Sequence, residues 1–253
     1  MALVPGLQAS TSAGEQAFDY DEALAISQGA VGRQLGAYRF VDTGGNAVTL
    51  EQFRGKPLVI SMIFTSCYQI CPMTTRHLST VVDKARDALG NDKFSVALIG
   101  FDTRVDTPDA MRHFGNKQGV DERGWSLLST DQNTVDELSR DLGFLYYRSS
   151  NGFDHLIQAT IVDADGKIFR QVYGQVFDTP LLVDPLIDLV YGRATPEQPL
   201  LQNLINRVKL FCTTYDPARD GYYFDYSLFV GMLIGASIIG ITGTVVVRGL
   251  RKN

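Results

Sequence analysis

The chain has 253 residues, a formal net charge of −5 and 20% charged side chains, so it is long enough for one sizeable globular domain with appendages. The mildly acidic balance, without a block of Lys or Arg, argues against a nucleic acid as the main partner. The three cysteines are too few for a scaffold held together by disulfides. Because their number is odd, at least one thiol cannot be part of a disulfide within the chain.

The N-terminal part of the chain divides into two short segments ahead of the main domain. Residues 1–10 look like the end of a signal peptide, because a short apolar stretch is followed by small residues. Residues 11–33 are rich in Ala, Gly, Ser and acidic side chains, which predicts a flexible lead-in. The main domain is expected over residues 34–195.

Within this domain, apolar strand-like runs alternate with amphipathic helical stretches. Strands are predicted over 37–41, 47–50, 57–64, 94–101, 125–128, 155–162 and 168–173, and helices over 71–89, 107–114, 131–142 and 179–191. The run 57–64 is apolar almost throughout, which is typical of a central strand buried on both faces. This order of elements predicts an α/β domain whose central sheet is flanked by helices.

The C-terminal part predicts a membrane anchor. Residues 226–247 carry no charge, and a helix of this length would measure roughly 33 Å, which matches the hydrocarbon core of a bilayer. A connector over 196–225 supplies flanking tyrosines, and a basic tail follows over 248–253, as expected for a transmembrane helix and its stop-transfer signal. A buried core helix is the less favoured alternative.

The basic tail also predicts the orientation of this anchor. Because positive residues stay in the cytoplasm, we expect a single-pass protein of the bacterial inner membrane. Its C-terminus would be cytoplasmic, and its main domain would lie in the periplasm or outside. The alternative is a cytosolic domain on a tail anchor, which would have to translocate the basic end.

The most informative motif is the pair Cys67 and Cys71, followed by Pro72, directly after the apolar strand 57–64. Cys67 is expected in the turn and Cys71 at the start of a helix, where proline is tolerated. The unpaired amides and dipole of a helix N-terminus stabilise a thiolate, so at least one of these thiols should be unusually acidic. One helical turn between them brings both sulfurs to the same side.

Two thiols at this separation can form a reversible disulfide, bind a soft metal, or do both. Adding one imidazole gives a soft, low-coordinate ligand set that suits copper, especially Cu(I), whereas zinc prefers a fourth ligand. Of the three histidines, His77 and His113 fall on helices and are interpreted as surface or packing residues. His155 lies in a glycine-containing loop that enters a strand, where a structural role and a ligand role are about equally favoured.

Four landmarks fall in order along residues 35–191: the Cys67-x-x-x-Cys71-Pro72 run, the Asp102-x-x-x-Asp106-Thr-Pro segment, the pair Asp154-His155, and the Asp163-Ala164-Asp165-Gly166 turn. This succession resembles the Sco/SenC family. The resemblance implies a thioredoxin-like fold and a role in assembling the binuclear Cu-A centre of cytochrome c oxidase. Proteins of this family are typically anchored by an N-terminal helix, whereas this chain carries its apolar segment at the C-terminus.

The resemblance also implies which residues form the site. Cys67, Cys71 and His155 would bind copper, and Asp102 or Asp106 would lie near the cysteines, where a carboxylate can tune thiol protonation or orient a ligand. Turn formation and helix capping are the alternative roles for these two aspartates. Cys212, in the connector, is interpreted as a packing residue or as a third thiol that passes copper or resolves a mixed disulfide.

The function implied is that of a membrane-anchored copper metallochaperone. Its partner would be the copper-bearing subunit of cytochrome c oxidase or another cuproprotein. The alternative is a thiol-disulfide oxidoreductase that reduces the cysteine pair of such a client, with Cys67 as the nucleophile and Cys71 as the resolving thiol. A peroxidase is disfavoured because no Pro-x-x-x-Thr-x-x-Cys segment activates Cys67.

Overall fold

The computed structural model describes residues 18–120, 124–150, 152–192, 213–216, 220–224 and 226–250. The predicted signal-peptide remnant at 1–10 and Cys212 lie outside these residues. The helices are α1 (Tyr20–Gln28), α2 (Ile70–Leu89), α3 (Pro108–Gln118), α4 (Gln132–Leu142), α5 (Pro180–Tyr191) and α6 (Ser227–Leu250). The strands are β1 (Arg39–Asp42), β2 (Ala47–Thr49), β3 (Leu58–Ile63), β4 (Ser95–Gly100), β5 (Trp125–Ser129), β6 (Tyr146–Ser149), β7 (Gly152–His155), β8 (Gln158–Val162), β9 (Ile168–Tyr173), β10 (Thr213–Asp216) and β11 (Gly221–Phe224).

Seven strands form one mixed sheet in the order β2-β1-β5-β4-β3-β8-β9. The central strands β3, β4 and β5 are parallel, and the strands on both sides of them pair antiparallel. Every residue of β3 and β4 is buried, as expected for strands covered on both faces. The prediction of a central, fully buried strand after residue 57 is therefore confirmed, as is the α/β fold with a thioredoxin-like sheet and flanking helices.

The ends of the helices follow from local chemistry. Thr107 caps α3 by accepting the backbone N–H of Ala110, and Pro108 occupies the first helical position. Asp131 caps α4 in the same way, through the N–H of Thr134. All four helices predicted within the main domain are present, and α3 continues to Gln118, four residues beyond its predicted end.

One helix was not predicted, because it lies in the segment expected to be a flexible lead-in. Asp19 caps α1 by accepting two backbone N–H groups, and Ala23 and Ser27 are buried. The Ser27 hydroxyl donates to Oε1 of Gln158 at 2.9 Å, which fastens α1 to the sheet. A nine-residue helix that buries only small side chains gives little apolar periodicity, so composition alone suggested a loop.

A second difference concerns the strand that was expected to start at His155. The structure begins β8 at Gln158 and places His155 at the end of β7, which pairs antiparallel with β6. This hairpin forms its own two-stranded sheet. The expected hairpin of β8 and β9 is confirmed.

The C-terminal segments are described only in part. Within the predicted connector, β10 and β11 pair antiparallel, and α6 follows. In the described part of the chain, no helix is both long and apolar enough to cross a membrane, so the transmembrane helix predicted over 226–247 is not shown.

Candidate metal centre

The topology brings three parts of the chain to one edge of the sheet. Because β3 and β4 are parallel, with Ile63 paired to Gly100 at their ends, the loops that follow them lie side by side. Strand β8 runs antiparallel to β3, with Ala159 opposite Ser61, so the residues just before β8 reach the same edge. The cysteine loop, the loop with the two aspartates and the hairpin with His155 therefore converge there. In α/β sheets, ligands commonly bind at the carboxyl ends of the parallel strands.

The cysteine pair sits at the start of α2, as predicted. Cys71 is the second residue of the helix and is 4% exposed, whereas Cys67 lies in the preceding turn and is half-buried. The N-cap residue Gln69 makes no side-chain capping bond. Instead, the backbone N–H of Cys71 donates to Sγ of Cys67 at 3.3 Å. The sulfur of Cys67 thus satisfies one of the free amides at the helix N-terminus.

The pKa of the Cys67 thiol lies below that of a free cysteine, and the pKa of the Cys71 thiol lies above it. The hydrogen bond from the Cys71 thiol lowers the pKa of Cys67 to about 5, and backbone amides of residues 69–71 add to this effect against the cost of burial. The same hydrogen bond raises the pKa of Cys71, and burial raises it further. At neutral pH the pair therefore carries one negative charge, located on Cys67. This confirms the prediction that one thiol is unusually acidic.

His155 presents one nitrogen for binding. Its Nδ1 lies 2.7 Å from the carbonyl oxygen of Leu156, and since a carbonyl only accepts, Nδ1 carries the proton and Nε2 keeps its lone pair. Burial lowers the pKa of His155, so the ring is neutral at pH 7. The ring packs against three phenylalanines, Phe64, Phe101 and Phe144, at centroid distances of 6.1, 5.6 and 5.3 Å.

His155 and Cys67 lie within electrostatic range of each other. Burial dominates the pKa of His155, while the Cys67 thiolate acts to raise it. Within the residues that the structure describes, however, no group of three or more His, Cys, Asp or Glu side chains is close enough to hold a metal ion. The assignment of Cys67, Cys71 and His155 as copper ligands therefore stays a prediction.

Asp106 joins the cysteine loop to the loop after β4. The residue is 2% exposed, and its Oδ1 accepts both the backbone N–H and the hydroxyl of Thr65, at 2.8 and 2.7 Å. Its Oδ2 accepts the backbone N–H of Asp102 at 2.8 Å. Burial raises the pKa of Asp106, and its charge contributes to the raised pKa of Cys71. Asp106 therefore lies near the cysteines as implied, and α3 is capped by Thr107 instead.

Two further residues support this region and were missed from the sequence. A Cβ atom at Gly100 would lie 2.5 Å from Cβ of Asp106, so only glycine leaves room for the buried carboxylate. Arg148, on β6, places a guanidinium nitrogen 3.6 Å from Oδ1 of Asp102. Its guanidinium carbon lies 4.7 Å from the ring centroid of Phe153. Asp102 and Arg148 thus link the hairpin to the loop after β4.

The other two histidines lie outside this region. Nε2 of His77 is within hydrogen-bond distance of the backbone oxygen and nitrogen of Phe177, which ties α2 to the segment before α5. His113 is exposed on α3. Both therefore have the packing or surface positions predicted for them.

Three apolar side chains near Cys67 are exposed to solvent. Tyr68 is 100% exposed, Ile70 is 43% exposed, and Met73 is also exposed on the first turn of α2. Single exposed apolar residues are common on protein surfaces, and these three lie on the cysteine loop and the first turn of α2.

These features define a dithiol protein of thioredoxin-like fold, with an acidic thiolate, a buried partner thiol and a neutral imidazole at one edge of the sheet. Such a site can exchange disulfides or bind a soft metal. The family model described as SCO1/SenC matches residues 28–186, which is more than half of the chain. The chain belongs to the SCO1/SenC family.

Individual relatives agree with this assignment. The SCO1 protein homolog of Bacillus subtilis (strain 168) is 26% identical over 164 residues, which cover 62% of this chain and 81% of that protein. A crystal structure of a protein from Aquifex aeolicus VF5 is 26% identical and has a TM-score of 0.59, covering 66% of this chain and 98% of its own.

Two further structures match at lower identity and therefore show the fold alone. Bradyrhizobium japonicum ScoI with copper bound is 23% identical, with a TM-score of 0.51, and the match covers 63% of this chain and 97% of that one. BsSco, described as a member of the Sco family of cytochrome c oxidase assembly proteins, is 22% identical, with a TM-score of 0.52 and coverages of 59% and 88%.

Proposed function

We propose that this protein is a copper metallochaperone that carries copper as its cargo on Cys67, Cys71 and His155. The observation that carries the proposal is the chemistry of the donor set. One sulfur is a thiolate at neutral pH, its partner lies within hydrogen-bond distance, and the imidazole keeps a free Nε2. Two sulfurs and one nitrogen suit Cu(I). The copper-bound ScoI of Bradyrhizobium japonicum supports the choice of metal.

Each residue has a distinct part in loading and release. Cys67 is the half-buried thiolate and meets the incoming ion first. Cys71 must lose its proton to become a ligand, because metals bind the thiolate form. His155 completes the set from the hairpin, and its Nδ1–H bond to Leu156 fixes the tautomer. Release to a client follows by ligand exchange, in which thiolates of the client replace those of the chaperone.

The client we propose is the copper-bearing subunit of cytochrome c oxidase, or another cuproprotein with thiolate ligands. Membership of the SCO1/SenC family and the description of BsSco as a cytochrome c oxidase assembly protein support this choice. The exposed apolar side chains of Tyr68 and Ile70 offer a docking surface beside Cys67.

The membrane tether remains part of the proposal because residues 226–247 carry no charge. We propose a single-pass protein of the inner membrane, with the main domain in the periplasm and residues 248–253 in the cytoplasm. Extraction of cell membranes with alkaline carbonate tests this directly. The full chain should stay in the membrane pellet, and its release into the supernatant would contradict the tether.

A thiol-disulfide oxidoreductase is the second candidate, and the low pKa of Cys67 favours it. The Cys67 thiolate would attack a client disulfide, forming a mixed disulfide and releasing one client thiolate. Cys71 would then lose its proton and attack Sγ of Cys67. The client leaves with both of its thiols reduced, and the protein is left with a Cys67–Cys71 disulfide.

An anaerobic Cu(I) titration of the reduced full-length chain in detergent, against a competing chelator, distinguishes the two functions. The chaperone predicts one tightly held copper whose affinity falls at least about tenfold in His155→Ala, because loss of even a group that only orients a metal ligand typically costs about 10- to 100-fold. His113→Ala is the matched control, because His113 is exposed on α3, and it should bind as the unmodified chain does. Binding that is equally tight in His155→Ala would remove His155 from the ligand set and favour the oxidoreductase.

A further inference from the structure

We propose that Arg148 is a positioning residue for His155. By bridging Asp102 and Phe153, it holds the β6–β7 hairpin at the edge of the sheet where the cysteine loop lies. The inference rests on the proposed function, because the position of His155 relative to the cysteines matters when all three bind one copper ion.

Strand pairing does not join the hairpin to the main sheet. Strands β6 and β7 pair with each other, with Tyr146 opposite His155 and Arg148 opposite Phe153. In the part of the chain that the structure describes, they form a separate sheet and are not neighbours of any strand of the seven-stranded sheet. The backbone holds His155 from one side, because Ile157, two residues further on, accepts the backbone N–H of Gly174. Side-chain contacts with the domain hold the rest of the hairpin.

Several of these contacts are between aromatic rings. The ring of Phe153 lies 5.2 Å from that of Phe64 and 5.1 Å from that of Phe101, centroid to centroid. The ring of His155 packs on the same two residues. Apolar burial holds the hairpin against the domain but is non-directional. The hydroxyl of Tyr146, opposite His155, adds hydrogen bonds to α4, accepting from Gln132 and donating to Asp136.

Arg148 supplies a directional contact to a different part of the domain, the loop after β4. Its guanidinium lies over Phe153 on the opposite strand and within 3.6 Å of Oδ1 of Asp102. The backbone N–H of Asp102 donates to Asp106, and Asp106 accepts the N–H of Thr65, two residues before Cys67. A continuous series of polar contacts therefore connects the hairpin that carries His155 with the loop that carries the first cysteine.

A second arginine nearby provides a matched control. Arg104 lines the same cavity of about 220 Å³ as Asp102, Gln132 and Arg148, and it carries the same charge. No ion pair with Asp102 and no ring contact with Phe153 is found for Arg104 among the described residues. Replacing Arg104 therefore changes the charge of the cavity without removing the bridge to the hairpin.

The first test needs no copper. In the copper-free full-length chain, NMR of the His155 ring reports how fast its Nδ1 proton exchanges with water, and the bond to Leu156 slows this exchange. We expect faster exchange in Arg148→Ala and an unchanged rate in Arg104→Ala. Asp102→Asn is the second variant, because it removes the charged partner of Arg148, and it should accelerate exchange as well. Equal exchange rates in Arg148→Ala and the unmodified chain would overturn the inference.

The second test is a Cu(I) competition titration with the same variants and with Arg148→Ala/His155→Ala. Loss of a group that orients a metal ligand typically weakens binding about 10- to 100-fold, and we expect the lower value because Arg148 is half-exposed. If Arg148 acts only through His155, it should have no further effect in the His155→Ala background. The same loss in both backgrounds would instead mean a general structural role and would overturn the inference.

The two tests separate failure of the inference from failure of the proposed function. If His155→Ala binds Cu(I) as tightly as the unmodified chain, the proposed copper site is wrong and the inference falls with it. If His155→Ala weakens binding but Arg148→Ala does not, the copper site stands and only the inference is overturned.

Discussion

Replacing Cys71 with Ala removes the largest contribution to the low pKa of Cys67. The hydrogen bond from the Cys71 thiol is the main reason that this pKa lies at about 5. At pH 7 the thiolate of Cys67 therefore exceeds its thiol by about 100 to 1, since each pH unit changes the ratio tenfold. Because the thiolate is the reactive form, alkylation of Cys67 should be at its maximum at neutral pH and decline only below about pH 6.

The size of the change follows from the energy of the lost contact. A hydrogen bond to a charged group contributes roughly 1.5–3 kcal/mol, and one pKa unit corresponds to about 1.36 kcal/mol. The midpoint of the alkylation profile should therefore rise by roughly one to two pH units in Cys71→Ala. The midpoint should still lie below that of an ordinary thiol, because the backbone amides of residues 69–71 continue to stabilise the thiolate.

The assay is the rate of iodoacetamide alkylation against pH, with the modified cysteine identified by mass spectrometry. Cys212 is replaced by Ser in every variant. Cys71→Ser is the matched control, because its hydroxyl can still donate to Cys67, and its midpoint should move less than that of Cys71→Ala. A midpoint near 8.5 in the parent chain, the value of a free thiol, would refute the reasoning. So would identical midpoints in the parent and in Cys71→Ala.

Two further predictions follow from the same geometry. At pH 7 Cys67 is ionised, Cys71 is protonated and His155 is neutral, so binding Cu(I) to all three should release one proton per copper. Calorimetry in buffers of different ionisation enthalpy measures this number, and release of no proton would mean that Cys71 is not a ligand. Gly100→Ala should destabilise the fold by about 1–3 kcal/mol through overpacking against Asp106. Denaturant unfolding measures the free energy of unfolding of the variant. An unchanged value would contradict the close contact between position 100 and Asp106.

Much of the site could be predicted because its signals are local. The apolar run of β3, the proline at the start of α2 and the spacing of Cys67 and Cys71 are all read within one stretch of chain. Parallel pairing of β3 with β4 then brings Asp102 and Asp106 to the cysteine loop, which sequence spacing alone does not show. The prediction that Asp102 or Asp106 lies near the cysteines came from the family resemblance and not from a local pattern.

The parts that were missed depend on contacts between distant residues. Glycine at position 100 is required only because Asp106 folds back against it. The β6–β7 hairpin has no simple alternation of apolar and polar residues, because its rings pack sideways on Phe64 and Phe101. Arg148 is identified by its distance to Asp102, 46 positions away in the chain. Periodicity and turn signals contain none of this information.

The central claim is that Cys67, Cys71 and His155 bind one Cu(I) ion, and X-ray absorption spectroscopy of the copper-loaded full-length chain tests it most directly. The account predicts a first coordination shell of two sulfurs and one imidazole nitrogen, with the nitrogen lost in His155→Ala and retained in His113→Ala. A shell of sulfur alone, or a nitrogen that persists in His155→Ala, would contradict it.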